Sequence, residues 1–493
     1  MSRRQLPRFL SQFAPVLLAA PLALSACAHG MTGVSGVAAT SPRPETPWTA
    51  PPTSRPAPRD ESKPALPPEL LATSAHWTLG DLVDIALRNS STTRAAWEQA
   101  RAAAARLGSA RGAYFPQVDA SASYSTQRAA SFSDRVQSEE RRYGGSLGLD
   151  WLLLIFGGRH ADIAAAKQAL IAADWAHNAA IQRVILEVER GYYDYRAAEA
   201  LRLAEESSLN EAKRSLDAAE ARHEAGLATI ADVLQAKTAV AQAQLALDTA
   251  NGRIQTTRGT LATAVGLPAD TPYELQLDEE TPAVVEIEES VEAFLERARE
   301  ARPELAAARA DLERARAEVR KTKAEGYPEL RARGSVGRLY PDSPDRGQST
   351  HAGSIGLSLP LFTGFAHHYD VREAEASARA AAARAEGTEQ AVVMDVWTAY
   401  FNLKTAAQRL RTTDELLESA TQSHEVAQGR YQSGVGSILD LLNAQTALEN
   451  ARAVSVGARA DWFIAVAELS YAAGTLAPPA SAPSSRAPNE EKP

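Results

Sequence analysis

Two runs decide the fold: Val118-Asp-Ala-Ser-Ala-Ser-Tyr124 and Tyr143-Gly-Gly-Ser-Leu-Gly-Leu-Asp-Trp151. In the first, Val118, Ala120, Ala122 and Tyr124 alternate with Asp119, Ser121, Ser123 and Ser125. In the second, Tyr143, Gly145, Leu147, Leu149 and Trp151 alternate with Gly144, Ser146, Gly148 and Asp150. A period of two is that of a strand with one apolar face. Two weaker copies follow. Leu330, Ala332 and Val336 alternate with Arg331, Arg333 and Ser335; Ile355, Leu357 and Leu359 alternate with Ser354, Gly356 and Ser358. The spacing predicts strands at 117–126, 143–152, 329–339 and 351–360. Each has the roughly 9–11 residues of a tilted strand crossing a bilayer. Tyr143, Trp151, Tyr340 and Phe362 stand near the ends, where an interfacial aromatic belt belongs.

Four such strands have no further strands to complete or cover a soluble sheet. In lipid, four antiparallel strands cannot close, and open edges are not tolerated there. Two chains would supply eight strands, whose interior fills with side chains. Three would supply twelve and leave a passage.

Around the strands the chain is written twice. At an offset of 208, Gly148-Leu149 meets Gly356-Leu357, and Tyr192-Tyr193-Asp194 meets Tyr400-Phe401-Asn402. Leu261 and Gly266 meet Leu469 and Gly474. Upstream the offset is 212, with Phe115-Pro116 matching Tyr327-Pro328, so the change falls in the hairpin loops. A helix is predicted from Thr92 to Ala113 and its counterpart from Pro303 to Gly326, with Pro303 suiting a first turn. Each hairpin then leads into a helix of extreme length. Gly158 to Glu224 contains no Pro, and at ~1.5 Å per residue it spans about 100 Å. The return leg, Thr229 to Gly266, is half as long, so two short legs stacked end to end match one long leg.

Both long helices end alike: Arg222-x-x-x-Gly226-x-x-Thr229-x-x-Asp232 and Arg430-x-x-x-Gly434-x-x-Ser437-x-x-Asp440. Gly closes a helix in the left-handed conformation. Arg complements the dipole at a helix C-terminus. Thr or Ser caps the next helix, and Asp three residues on completes a capping box. These turns lie at the far end from the strands, and in a trimer six of them would ring the far mouth.

Arg3, Arg4 and Arg8 precede the apolar stretch Phe13 to Ala23, the pattern of a secretory leader. It ends Leu24-Ser25-Ala26-Cys27, which resembles a lipobox with Cys27 as the lipidated residue. Ala28 lacks the carboxylate of inner-membrane retention, which favours the outer membrane. The organisation read from the chain is a signal peptide at 1–26, a lipidated N-terminus and Pro-rich tether at 27–75, a first repeat at 76–266, an acidic connector at 267–290, a second repeat at 291–476 and a tail at 477–493.

Composition narrows function. Hydrophobic residues are 45%, aromatics 6%, and Ala is roughly a fifth of the chain, which suits long, closely packed helices. The net charge of -9 argues against nucleic acid as a partner, and the single cysteine against a disulfide or thiolate metal site. Gly144-Gly-Ser146-Leu-Gly148 spells a hydrolase elbow, but Ser146 lies within a predicted strand. His367-His368, paired with His160 across the repeat, falls short of a metal ligand set. No Walker motif or dinucleotide fingerprint occurs. The reading is a non-enzyme without cofactor, passive, with its driving force in a partner. The rival is a lipid-anchored helical-hairpin adaptor or structural lipoprotein without a pore, which the duplicated lipid-facing strands disfavour.

These residues resemble the TolC-like outer-membrane efflux protein family over about residues 76–476. The most specific stretch is Arg430-Tyr-Gln-Ser-Gly-Val-Gly-Ser-Ile-Leu-Asp440 followed by Leu-Leu-Asn-Ala-Gln; Tyr114-Phe115-Pro116, Trp151-Leu-Leu-Leu-Ile-Phe-Gly-Gly-Arg159 and the duplication support it. The resemblance implies an α+β membrane protein, a trimeric 12-stranded transmembrane β-barrel continued by a periplasmic α-helical barrel. It implies a homotrimer in outer-membrane lipid, a periplasmic adaptor docking at the tip turns (Arg222, Gly226, Thr229, Arg430, Gly434, Ser437), and an inner-membrane pump of RND or ABC type. It implies a tip aperture formed by Asp440, Asp232 and Tyr431. Asn443 stands where a second ring aspartate is expected, and Gly436 where the best-known member has a latch arginine, so the closing contacts here differ.

Overall fold

The computed structural model describes residues 77–130, 137–275, 288–341 and 347–476. The leader, Cys27, the tether, the tail and part of the acidic connector lie outside the described residues.

One series of elements occurs twice. The first copy is α1 (Leu79–Asn89), α2 (Ser91–Gly112), β1 (Gln117–Ala130), β2 (Gln137–Ile155), α3 (Gly158–Glu224) and α4 (Ile230–Ala264). The second is α5 (Val291–Ala301), α6 (Pro303–Ala324), β3 (Glu329–Pro341), β4 (Gln348–Ser358), α7 (Ala366–Gln432) and α8 (Ile438–Ala472). Corresponding helices are equal in length: α1 and α5 have 11 residues, α3 and α7 have 67, α4 and α8 have 35. The 67-residue helices run for ~100 Å.

The strands form one antiparallel sheet in the order β1-β2-β3-β4. Val118 sits opposite Leu149, Leu147 opposite Val336, and Ala332 opposite Ile355, so the apolar alternations share one face. Tyr124, Tyr143 and Tyr340 form a row on that face, the last two stacked at 5.2 Å. On the other face the Ser121 and Ser146 hydroxyls meet at 2.9 Å. Ser146 is thus a mid-strand residue, not an elbow. The strands exceed the predicted lengths, β2 reaching 19 residues, because pairing continues through Arg142 and Arg141 toward the loop. A bulge between Leu152 and Leu154 accommodates the entry to α3. Beneath the sheet the Trp151 indole donates to the Tyr114 carbonyl at 3.1 Å, and Arg159 lies 4.7 Å from the Tyr114 ring.

Each long helix is flanked by stacked short ones. α3 packs against α2 and α4 on one side and α6 and α8 on the other; α7 packs against α6 and α8. The junctions use glycine. Gly266 ends α4 at φ 82°, where a Cβ would meet Asn89 backbone at 3.1 Å. Gly474 repeats this after α8 at φ 74°, against Ala301 backbone at 2.8 Å. Only a residue without Cβ lets the two legs abut this closely.

The seams are built on sevens. Ala444, Ala451, Ala458, Ala465 and Ala472 are buried along α8, and Ala236, Ala243 and Ala250 along α4. A seven-residue period of small side chains lets helices run side by side at close range. The largest apolar core lies at mid-height. Trp77, Leu82, Val83 and Ile85 pack there on Val184, Ile185 and Val188 of α3 and Leu261 of α4. The helices α1 and α5 that build this level were not predicted from the sequence. Their signal was present: Thr78 and Asp81 form a complete capping box opening α1.

Candidate functional site at the tips of the long helices

The turn after α3 closes as predicted. Gly226 takes φ 74°, its N–H reaches the His223 carbonyl at 2.8 Å, and the Leu227 N–H reaches the Arg222 carbonyl at 2.8 Å. Thr229 and Asp232 then exchange caps: the Thr229 N–H donates to the Asp232 carboxylate at 2.8 Å, and the Asp232 N–H to the Thr229 hydroxyl at 3.3 Å. The turn after α7 repeats the device. Gly434 takes φ 83°, Val435 N–H reaches the Arg430 carbonyl at 3.0 Å, and Ser437 and Asp440 form the second capping box. These pairings satisfy groups that a helix end otherwise leaves open.

The two turns share one apolar knot of Ala219, Ala236, Tyr431, Ile438 and Leu441. Tyr431 is its centre and is 4% exposed. Arg222 crosses from the first repeat to reach it. Its guanidinium lies 5.0 Å from the Tyr431 ring, and Nη1 donates to the Tyr431 carbonyl at 2.8 Å. Burial pushes the Tyr431 phenol up, Arg222 works in the opposite sense, and Asp232 adds to the rise. The phenol oxygen has no hydrogen-bond partner among the described residues.

Of the residues picked out in the sequence, the structure therefore brings Arg222, Asp232 and Tyr431 together, with Gly434 beside the Arg222 guanidinium. Asp440 is exposed and apart from this knot. It lines a groove of about 420 Å³ between α7 and α8 with Arg430, Gly436, Asn443, Ser423 and Val426. The two repeat-related arginines thus differ: Arg222 is spent on the neighbouring repeat, and Arg430 faces the groove. Exposed apolar side chains cluster at both turns, Leu227, Ile230 and Leu234 in the first and Val435 and Leu439 in the second.

Comparison with known proteins now bears on this architecture. The model of the outer membrane efflux protein family matches residues 82–267 and 294–475. The chain belongs to the outer membrane efflux protein family. The two matched segments fall on the two repeats. The chain is 31% identical over 380 residues to the protein CyaE of Bordetella pertussis, covering 76% of this chain and 78% of that one. It is 25% identical over 404 residues to the probable efflux pump outer membrane protein TtgC of Pseudomonas putida, covering 80% and 82%. Among solved structures, the CmeC outer membrane channel of Campylobacter jejuni superposes with a TM-score of 0.73 at 19% identity, over 80% of this chain and 85% of that one. As a family member the chain takes its place among transport proteins of the outer membrane, which sets aside the hydrolase reading and the adaptor reading.

Proposed function

We propose that this chain is the passive outer-membrane channel of a tripartite efflux or type I export system. Three copies close a 12-stranded barrel, and their long helices continue it as a duct through the periplasm. The observation that carries this reading is the open sheet. Among the described residues β1 and β4 each have one edge unpaired, and Val118, Leu147, Leu149, Val336, Ile355 and Leu357 leave the apolar face of the sheet exposed. Open edges and bare apolar faces are unstable in isolation, and closure by further copies removes both.

At the far end, the exposed apolar residues of the six turns form the docking surface for a periplasmic adaptor, which joins the duct to an RND or ABC type pump. Arg222, Gly226, Thr229, Arg430, Gly434 and Ser437 hold those turns in shape. Asp440, Asp232 and Tyr431 belong to the aperture, Asp440 facing the passage and the other two setting how the turns meet. With Gly436 in place of an arginine, closure relies on Arg222 gripping Tyr431 between the repeats. Cys27, acylated after removal of residues 1–26, anchors the chain to the outer membrane through the tether at 27–75. Residues 76–266 and 291–476 form the two repeats about the connector at 267–290, and 477–493 trail as a tail. The test is single-channel recording from the purified protein in planar bilayers. Large, water-filled conductance steps support the duct; a protein that inserts without conducting contradicts it.

A further inference from the structure

Between the turns and the mid-height core, the seam joining the two repeats becomes polar at positions where its period requires small or apolar residues. α3 buries Ala198, Ala212 and Ala219 on a seven-residue register, and the remaining slot is Glu205, 7% exposed. α7 buries Leu403, Leu410 and Tyr431 on another, and one of its slots holds His424, 6% exposed. From α8, Arg452 grips Glu211 with two hydrogen bonds of 3.2 and 3.0 Å. His424 Nε2 lies 4.0 Å from the Glu211 carboxylate. Glu449, also from α8, stands between Arg452 and Gln445, whose amide donates to the Ser208 carbonyl at 3.5 Å, and this register sets it beside Glu205.

The charges do not balance. Facing this site are Glu205 and Glu211 from α3, Glu449 and Arg452 from α8, and His424 from α7. α4 packs Val240, Ala243 and Leu247 on Leu209 and Ala212 of α3, while its Lys237, Asp248 and Arg253 are exposed. Three carboxylates therefore face one guanidinium and one imidazole, and the guanidinium is committed to Glu211. Glu205 is left with Glu449, and its Oε2 is buried without a hydrogen-bond partner among the described residues. Two carboxyl groups side by side in a seam oppose each other's ionisation, because each raises the cost of charging the other.

We propose that Glu205 and Glu449 form a proton-operated clamp between the two repeats. With one proton shared, the Glu205 hydroxyl donates to the Glu449 carboxylate and fastens α3 to α8. When that proton leaves, two carboxylates repel across the seam and this stretch of α3 loosens. Burial and the neighbouring carboxylate hold Glu205 above the ordinary glutamate range, with Arg452 opposing, and burial lifts Glu449. The sign follows. The folded chain keeps a proton that the unfolded chain has lost, so the seam is most stable in acid. It weakens as pH rises from the ordinary glutamate range through the raised one, by up to about tenfold per pH unit for one proton. The clamp is a property of packing within this chain and does not depend on the chain being a channel.

Hydrogen exchange of the detergent-purified full-length protein between pH 4 and 8, corrected for intrinsic exchange, tests this. In the wild type the protection of α3 around residues 200–212 falls with rising pH by up to about tenfold per unit. In Glu449→Gln and Glu205→Gln no proton is shared and the amide supplies the donor at every pH, so that dependence flattens. Protection at the mid-height core around Val184 and Val188 is the internal control and stays level in all three proteins. Glu449 is the more exposed partner, so Glu449→Gln suffices if Glu205→Gln does not fold. The same pH slope in Glu449→Gln as in the wild type, or a wild type without a slope, overturns the proposal.

Discussion

Arg222 and Tyr431, 209 residues apart, bind the two tip turns into one unit: the guanidinium sits 5.0 Å from the ring, and Nη1 donates to the Tyr431 carbonyl at 2.8 Å. The contact is asymmetric with respect to the duplication, since the counterpart Arg430 faces a groove instead. A guanidinium that combines a face contact with a hydrogen bond is not replaceable by a point charge. Arg222→Ala is expected to raise single-channel conductance by freeing the first turn from the second, and Arg222→Lys to restore little of the closed state. Unchanged conductance in Arg222→Ala would remove this contact from the gate.

Tyr431→Phe has a different expected outcome. The phenol oxygen is buried and unpartnered among the described residues. Removing a buried, unsatisfied polar group recovers its desolvation cost, about 1–3 kcal/mol. The variant keeps the ring under Arg222 and melts at or above the wild-type temperature; a clear loss of stability would show that the hydroxyl has a partner in the assembled protein.

Asp440 is exposed at the start of α8, where its carboxylate accepts from the Ser437 N–H at 3.4 Å and its own N–H donates to the Ser437 hydroxyl at 3.1 Å. If three copies place it around the mouth, Asp440→Ala raises conductance and weakens block by multivalent cations applied from the helical side. Ser437→Ala supplies the control. It removes the other half of the same capping box at about 1 kcal/mol and leaves the carboxylate in place, so cation block persists. Equal effects of the two variants would reduce Asp440 to a capping residue.

On the proposed reading, Cys27 serves anchoring and not folding. Cys27→Ser abolishes incorporation of radiolabelled palmitate and leaves barrel insertion intact, because the apolar face of the sheet supplies its own affinity for lipid. Loss of assembly in this variant would give the acyl chains a role beyond tethering.

Much of the fold was legible in local signals. The limits of α3 fall where Gly157 and Gly226 allow left-handed backbone, and Pro303 opens α6. Strand faces followed from alternation, since Val118 and Leu149 had to share a side for either run to make sense. The missed helices α1 and α5 are short. They matter through what they cover, Val184 and Ile185 on α3 and Val396 on α7, and their amphipathic period, Leu79, Leu82, Val83 and Ala86 in α1, runs for only 11 residues. At the tips, capping boxes could be read three residues at a time. The reach of Arg222 to Tyr431 could not, because it depends on how α3 and α7 lie beside each other across 209 residues. Glu205 and His424 occupy apolar registers in plain sight, yet their significance appears only when Glu449 and Glu211 stand opposite them.

The central claim is that three copies of this chain close one barrel. The mass of the detergent-extracted complex from outer-membrane fractions, after an alkaline carbonate wash, tests it most directly. The account predicts a complex of three chains that the wash does not release. A monomer, or a species released by the wash or retained only through Cys27, would contradict it.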